Sequence, residues 1–394
     1  SFPTRRSSDL KFHFTPMQNW INDPNGLIYF NHKYHLFYQH NPLGNKWGNM
    51  SWGHAISTDL LNWEELPVAI SKEPEFAIFS GSTIHDEENQ RLVAIYTAHR
   101  EENQSQNLAF SYDGGITWEQ YYENPVLDIN YVDFRDPKVF RYQDYWVMSV
   151  VKPWEEKVSF YKSKNLINWD FLSDFESNIK EEIQWECPDL IQFGNKWVLL
   201  ISENKPGTIG KSKMRYYIGI FDGKEFIADD LEVRPLDYGP DFYAGVTFNE
   251  APENKKLMIG WMNNWGYAQK DKFAQLEKWN GSMSVARNLV LKDKKLIQEF
   301  LAPTATYKIS AEITSFQLRY RNGDLKFYRG ETYLTISRAD LWSDELIESQ
   351  IPIPDTEYLN MTAVFDDGSI ELGLNCYTYT ARLNVGPETP ELLV

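Results

Sequence analysis

The amino-acid sequence predicts an all-β protein, a five-bladed β-propeller followed by a short C-terminal β-sandwich. Three observations predict it. Segments of one pattern (apolar strand, Ser, turn, Trp) recur as GHAISTDLLNW ending at Trp63, NLAFSYDGGITW ending at Trp118 and VSFYKSKNLINW ending at Trp169, at intervals of 55 and 51 residues. Self-similarity with a period of about 50 residues marks a stacked or radial repeat. A second series keeps the same rhythm: Asp23 in NDP, Gly81 in FSGS, Asp136 in FRDP, Glu186 in WECPD and Tyr243 in DFYAG, spaced by 58, 55, 50 and 57 residues. After QEFLAP the rhythm gives way to short alternating segments such as TYLTIS and SIELGLN, which read as strands of a different sheet.

The elements follow in chain order. Residues 1–10, SFPTRRSSDL, begin without Met and carry neither helical nor strand periodicity, and are expected to be a cloning artefact outside the fold. Residues 11–303 hold the five members of the second series, hence five blades, since four strands of about 5–6 residues with their turns fill one period. A weaker fourth copy of the first series, YYIGIFDGKEF at 216–226, has lost its Ser and Trp. Residues 304–394 form the sandwich, expected to be reduced or incomplete. No long amphipathic helix is legible. Equivalent positions in blades related by rotation converge on one axis, so residues remote in sequence should face one cavity.

Composition narrows the function. A chain of 394 residues has ample length for a core. Its formal charge of −17 argues against nucleic acid or an anionic membrane as partner, because phosphate binding needs clustered Lys and Arg. A neutral substrate fits better, and the 14 Trp and 23 Tyr suit both strands and surfaces that stack on sugar rings. Cys187 and Cys376 lie far apart and give neither a disulfide framework nor a metal-ligand spacing. No run approaches the roughly 18 apolar residues of a membrane span, and no signal-peptide pattern is visible. Oligomeric state is not legible.

Asp23, Asp136 and Glu186 are the carboxylates of the second series. Asp23 and Asp136 directly precede Pro, and Glu186 stands in Glu-Cys-Pro, so each is expected on a stiff, extended backbone. An isolated Asp-Pro is ordinarily a turn; three acids in register with a repeat imply convergence. Paired carboxylates across a pocket are the machinery of glycoside hydrolysis, one attacking or directing attack at the anomeric carbon while the other protonates the departing oxygen. Trp20, Trp47, Trp52, Trp185, Tyr243, Trp261 and Trp265 lie near repeat positions, and some should line the pocket, although core packing is an equal reading for any one of them. Asp113 in SYDGGITW reads as a turn device. His32, His35 and His40 do not alternate onto one strand face, so no metal and no cofactor is expected. Cys187 is read as packing against Glu186 and tuning it.

Taken in order, WINDPNG, YHLFYQHNP, WGHA, FSGS, FRDPKVF, WECPDL, DFYAG and GWMNNWGYA resemble the motifs of glycoside hydrolase family 32, the β-fructofuranosidases that include invertases, levanases and inulinases. The resemblance covers about residues 11–300. It implies retaining double displacement on a terminal fructosyl unit, with Asp23 as nucleophile, Glu186 as general acid and then base, and Asp136 with Arg135 holding sugar hydroxyls. Asn22, Gln39, Trp47, Ser82, Tyr243 and Trp261 resemble positions that bind substrate. The implied substrates are levan- or inulin-type fructans, with sucrose as a smaller one. A fructosyltransferase on the same scaffold and a catalytically inactive fructan-binding protein are the alternatives. Ser51 stands where many members have His, and YAGVTF replaces a more usual YAAQTF, so contacts beyond the first sugar differ. A polymeric substrate favours a secreted or periplasmic location.

Overall fold

The computed structural model describes residues 12–270, 278–320, 323–339, 345–366, 368–383 and 390–394. Residues 1–10, expected to lie outside the fold, are not among the described residues. The protein is all-β: among the described residues, helix is confined to three-residue 3-10 turns.

Five antiparallel sheets follow one another along the chain, each built in chain order from its first strand outward. Their first strands are Asn19–Phe30, Ala77–Asp86, Arg135–Tyr142, Gln184–Phe193 and Tyr243–Thr247. These five carry Asp23, Gly81, Asp136, Glu186 and Tyr243, the whole second series. Each first strand packs against that of the next sheet, and the fifth packs against the first. Covered on both faces, the first, third and fifth are buried over most of their length, whereas Ala77–Asp86 alternates between buried and half-buried positions. Trp279–Asn280, late in the chain, also pairs in parallel with Asn19–Trp20 of the first sheet.

The first series marks the ends of third strands. Ser57, Ser111 and Ser163 donate to a side-chain oxygen of Asp59, Asp113 and Asn165 at 3.0, 2.8 and 3.1 Å, and accept N–H bonds from Leu60, Gly115 and Leu166. The acid or amide then takes further N–H groups, from Asn62, Thr117 and Asn168. Indole N–H groups of Trp118 and Trp169 close two of these turns on the carbonyls of Gly115 and Leu166. In the weak fourth copy Asp222 alone caps the turn, through Lys224 and Glu225. The repeat is therefore a turn device that satisfies backbone donors with Ser, Asp and Asn.

From Ala305 the chain builds two more antiparallel sheets. Their apolar faces share one core: Phe316, Leu318, Leu325 and Ile336 from one sheet meet Leu359, Met361, Ile370 and Leu372 from the other. A buried ionic cluster joins these sheets to the first five. Arg287, with no exposed surface, pairs with Asp237 at 3.2 Å and Glu371 at 2.9 Å. His13 lies between Asp366 at 2.8 Å and Glu371 at 2.5 Å, and Arg338 pairs with Asp241 at 2.6 Å. Gly239 fits only because it lacks a side chain, since a Cβ there would lie 2.0 Å from the Thr380 carbonyl oxygen.

Candidate active site

In all five sheets the pairing of the first strand slips beside the residue that marks the series: between Ile21 and Pro24, Ile78 and Gly81, Arg135 and Lys138, Glu186 and Asp189, and Tyr243 and Val246. Bulges of this kind unpair a residue and re-aim its side chain. At Asp136 the expected extended backbone is not found. Its φ is 67°, and Cys187, which precedes Pro188, has φ 49°. The left-handed turns override the bias that proline imposes, at a cost of about 1–3 kcal/mol each. In return, Asp136 N–H donates to Thr97 Oγ1 at 3.0 Å and Cys187 N–H donates to Asp136 Oδ2 at 3.0 Å.

The bulges bring the three carboxyls into one cluster, in which Asp23 and Asp136 are buried and the Glu186 side chain is 17% exposed. Asp23 Oδ2 accepts from Ser80 Oγ at 2.7 Å and from the Cys187 thiol at 3.3 Å, and its Oδ1 accepts from Asn22 Nδ2 at 3.1 Å. Asn22 is itself fixed by the Trp20 indole N–H at 2.8 Å. The same thiol lies 3.6 Å from Asp136 Oδ2, so Cys187 bridges two of the acids. Glu186 Oε1 accepts from the Tyr243 hydroxyl at 2.5 Å, and its Oε2 accepts from Arg135 Nη2 at 3.0 Å and Nε at 3.2 Å. Asp133, Gln104 and Gln184 hold the remainder of the Arg135 guanidinium.

Electrostatically the cluster is short of positive charge. Burial pushes the Asp23 carboxyl above its ordinary range and the Glu186 charge adds to this, against the donors Ser80, Asn22 and Cys187. Asp136 is pushed up to about 7 by burial, with Arg135 opposing and Glu186 and Asp23 reinforcing. Burial and the surrounding carboxylates hold the Cys187 thiol protonated, so it is a donor and not a nucleophile.

The structure gathers Asn22, Asp23, Arg135, Asp136, Glu186 and Tyr243 around one point. Gln39 is buried, spending its amide on Asn25 Oδ1 and the Ile78 carbonyl, both at 2.9 Å. Trp47 is 41% exposed and meets Phe79 edge-on. Trp261 has no exposed surface and packs against Trp20, Trp265 and Tyr243. Ser82 accepts the Val139 N–H at 3.0 Å between the second and third sheets. The serine on Asp23 is Ser80, which the sequence reading passed over although it stands in the same FSGS. Cys187 turns toward Asp23 and Asp136, whereas it was expected to serve Glu186. Ser51 is buried and accepts the Lys72 N–H. His35 bonds His54, and His40 bonds the Trp20 carbonyl. Among the described residues no group of three or more His, Cys, Asp or Glu is arranged to hold a metal, and no helix is long and apolar enough to cross a membrane.

Comparison with known proteins places the chain in a family. The levanase of Bacillus subtilis (strain 168) is 42% identical over 306 residues, covering 72% of this chain and 44% of the levanase. An extracellular exo-inulinase of Meyerozyma guilliermondii is 40% identical over 311 residues, covering 73% of this chain and 60% of that protein. The chain thus spans less than two thirds of the length of either relative. The crystal structure of exo-inulinase from Aspergillus awamori superposes with a TM-score of 0.85 at 28% identity, covering 97% of this chain and 96% of that one. Residues 13–299 match the N-terminal domain of the glycosyl hydrolases family 32, and the chain belongs to that family.

Proposed function

We propose that the protein is a retaining glycoside hydrolase that releases terminal fructose from β-fructosides, levan- or inulin-type fructans and sucrose among them. The observation that carries the reading is the convergence of Asp23, Asp136 and Glu186 from three sheets, with Arg135 and Tyr243 on one acid and Ser80, Asn22 and Cys187 on another. The names of the relatives, a levanase and an exo-inulinase, support the substrate class.

The steps follow from the contacts. Asp23, aimed by its three donors, attacks the anomeric carbon of the fructosyl unit as the glycosidic C–O bond breaks, and Glu186 gives its proton to the departing oxygen. Glu186 then takes a proton from water, whose oxygen attacks the same carbon and frees the Asp23 carboxylate. Arg135 orients Glu186, and with Asp136 it holds sugar hydroxyls as positive charge develops on the ring. Asn22, Gln39, Trp47, Ser82, Tyr243 and Trp261 complete the fructosyl site, with Trp261, Gln39 and Ser82 acting as its buried support. Such retention needs a carboxyl separation of about 5–5.5 Å between Asp23 and Glu186. No cofactor enters these steps.

The five sheets with their ring of first-strand contacts support a five-bladed propeller over residues 11–303, and the shared core of the last two sheets supports a β-sandwich over 304–394. A secreted or periplasmic location agrees with relatives named as extracellular. The test is incubation with sucrose, inulin and levan while free fructose is followed by chromatography. Release is expected from the parent and not from Asp23→Asn, whereas equal release by both would remove the assignment.

A further inference from the structure

We propose that Trp154 and Tyr131 form a stacking platform at the rim of the site that takes the sugar units of a fructan chain beyond those flanking the scissile bond; this rests on the fructosidase reading above. Trp47 and Trp154 are the tryptophans left exposed among the described residues, at 41% and 50%, while the others are buried or half-buried. Both lie on connections at the end of the sheets where the first strands begin, which is the end that holds the carboxylates. Trp47 precedes Ser51–Ser57, and Trp154 follows Tyr145–Lys152.

Trp154 is placed by pairing. Val151 faces Arg135 across the third sheet, so the chain leaves that strand level with Arg135, and the turn Pro153–Glu155 packs against the strand of Glu186. Tyr131, 37% exposed, is tied to the same spot. Its carbonyl accepts the Gln104 N–H at 2.8 Å, and Gln104 Oε1 accepts from Arg135 Nη1 at 3.4 Å. The Lys152 ammonium lies 5.6 Å over the Tyr131 ring, and Trp154 follows Lys152 by two residues in the turn that leaves the same strand.

The flat face of an exposed ring matches the C–H face of a sugar, and the adjoining polar groups are Asp133, paired with Arg135 at 3.0 Å, and Lys152, paired with Asp174 at 3.7 Å. Glu186 protonates the departing oxygen, so units beyond the bond lie on its side, which is the side of Trp154. The platform thus favours long chains over sucrose, whose two rings end at the bond.

The experiment compares Trp154→Ala, Tyr131→Ala and Trp154→Phe with the parent on sucrose and on inulin and levan oligosaccharides of increasing length. In the alanine variants the ratio of kcat/KM for the longer oligosaccharides to that for sucrose is expected to fall about tenfold, through KM, with Trp154→Phe retaining most of it. An unchanged ratio would overturn the platform. Binding is read separately on an Asp23→Asn background by calorimetry with the same oligosaccharides. Affinity that rises with chain length, and loses that rise in Trp154→Ala, supports the platform even if the parent releases no fructose; a rise unaffected by Trp154→Ala overturns it. Failure of the parent to release fructose overturns the hydrolase reading alone.

Discussion

Two buried clusters of charge, one around Asp23 and one around Arg287, are built on opposite rules. Around Asp23 three carboxyls share one guanidinium, and burial with mutual repulsion raises both Asp23 and Asp136. Around Arg287, where the last two sheets meet the first five, each carboxyl has a cation: Glu371 is lowered, against its burial, by His13 and Arg287, and His13 is held up at about 9 by Asp366 and Glu371 although burial alone would lower it. By linkage the ionised forms of His13 and Glu371 in the second cluster favour the folded state. By the same linkage ionisation of Asp23 and Asp136 opposes folding, an imbalance that marks candidate functional sites.

The largest expected effect lies at the first cluster. Asp23→Asn should lower fructose release by about 10³-fold or more, measured on sucrose, yet leave the melting temperature equal or higher because one of three repelling charges is gone. A drop in melting temperature would mean that this cluster, too, stabilises the fold. At the second cluster Arg287→Met should destabilise by about 3–5 kcal/mol in urea unfolding, since it strands Asp237 and Glu371 in a buried place. A loss no larger than that of an exposed pair would erase the distinction.

The pH dependence sharpens the same contrast. His13 is raised in the fold from 6.5 to about 9, so its contribution is full below about 6.5 and is lost as pH climbs through about 9. Stability should fall by on the order of 3 kcal/mol across that window, and His13→Gln should flatten the fall. Asp136 has the same sign in a lower window, with the difference that its neutral form and not its charged form is the one the fold favours. Its carboxyl is raised from 3.8 to about 7, so the folded state loses stability as pH rises between those values. Asp136→Asn should therefore be more stable than the parent at pH 7, by on the order of 2 kcal/mol, with the advantage shrinking toward pH 4. Thermal unfolding at a series of pH values decides both.

The first cluster was legible in the sequence because its acids recur with the period of the sheets, and the turn repeat was legible because Ser57, Ser111 and Ser163 act within a few residues of themselves. The choice between Ser80 and Ser82 was not, since it depends on a slip in pairing at Gly81 that no local pattern announces. The direction of Cys187 was hidden for a similar reason: a left-handed residue ahead of proline runs against the local rule. The second cluster was invisible, because His13 meets Glu371 across 358 positions and Arg287 meets Glu371 across 84. Its partners bear no common spacing.

The parallel pairing of Asn19 and Trp20 with Trp279 and Asn280 has a consequence for how the protein is made. On the ribosome, the strand that bears Asp23 emerges early but lacks one neighbour until some 260 further residues have followed. Until then its first two residues lack that partner, and helpers that shield unpaired strand ends should raise the yield of folded protein.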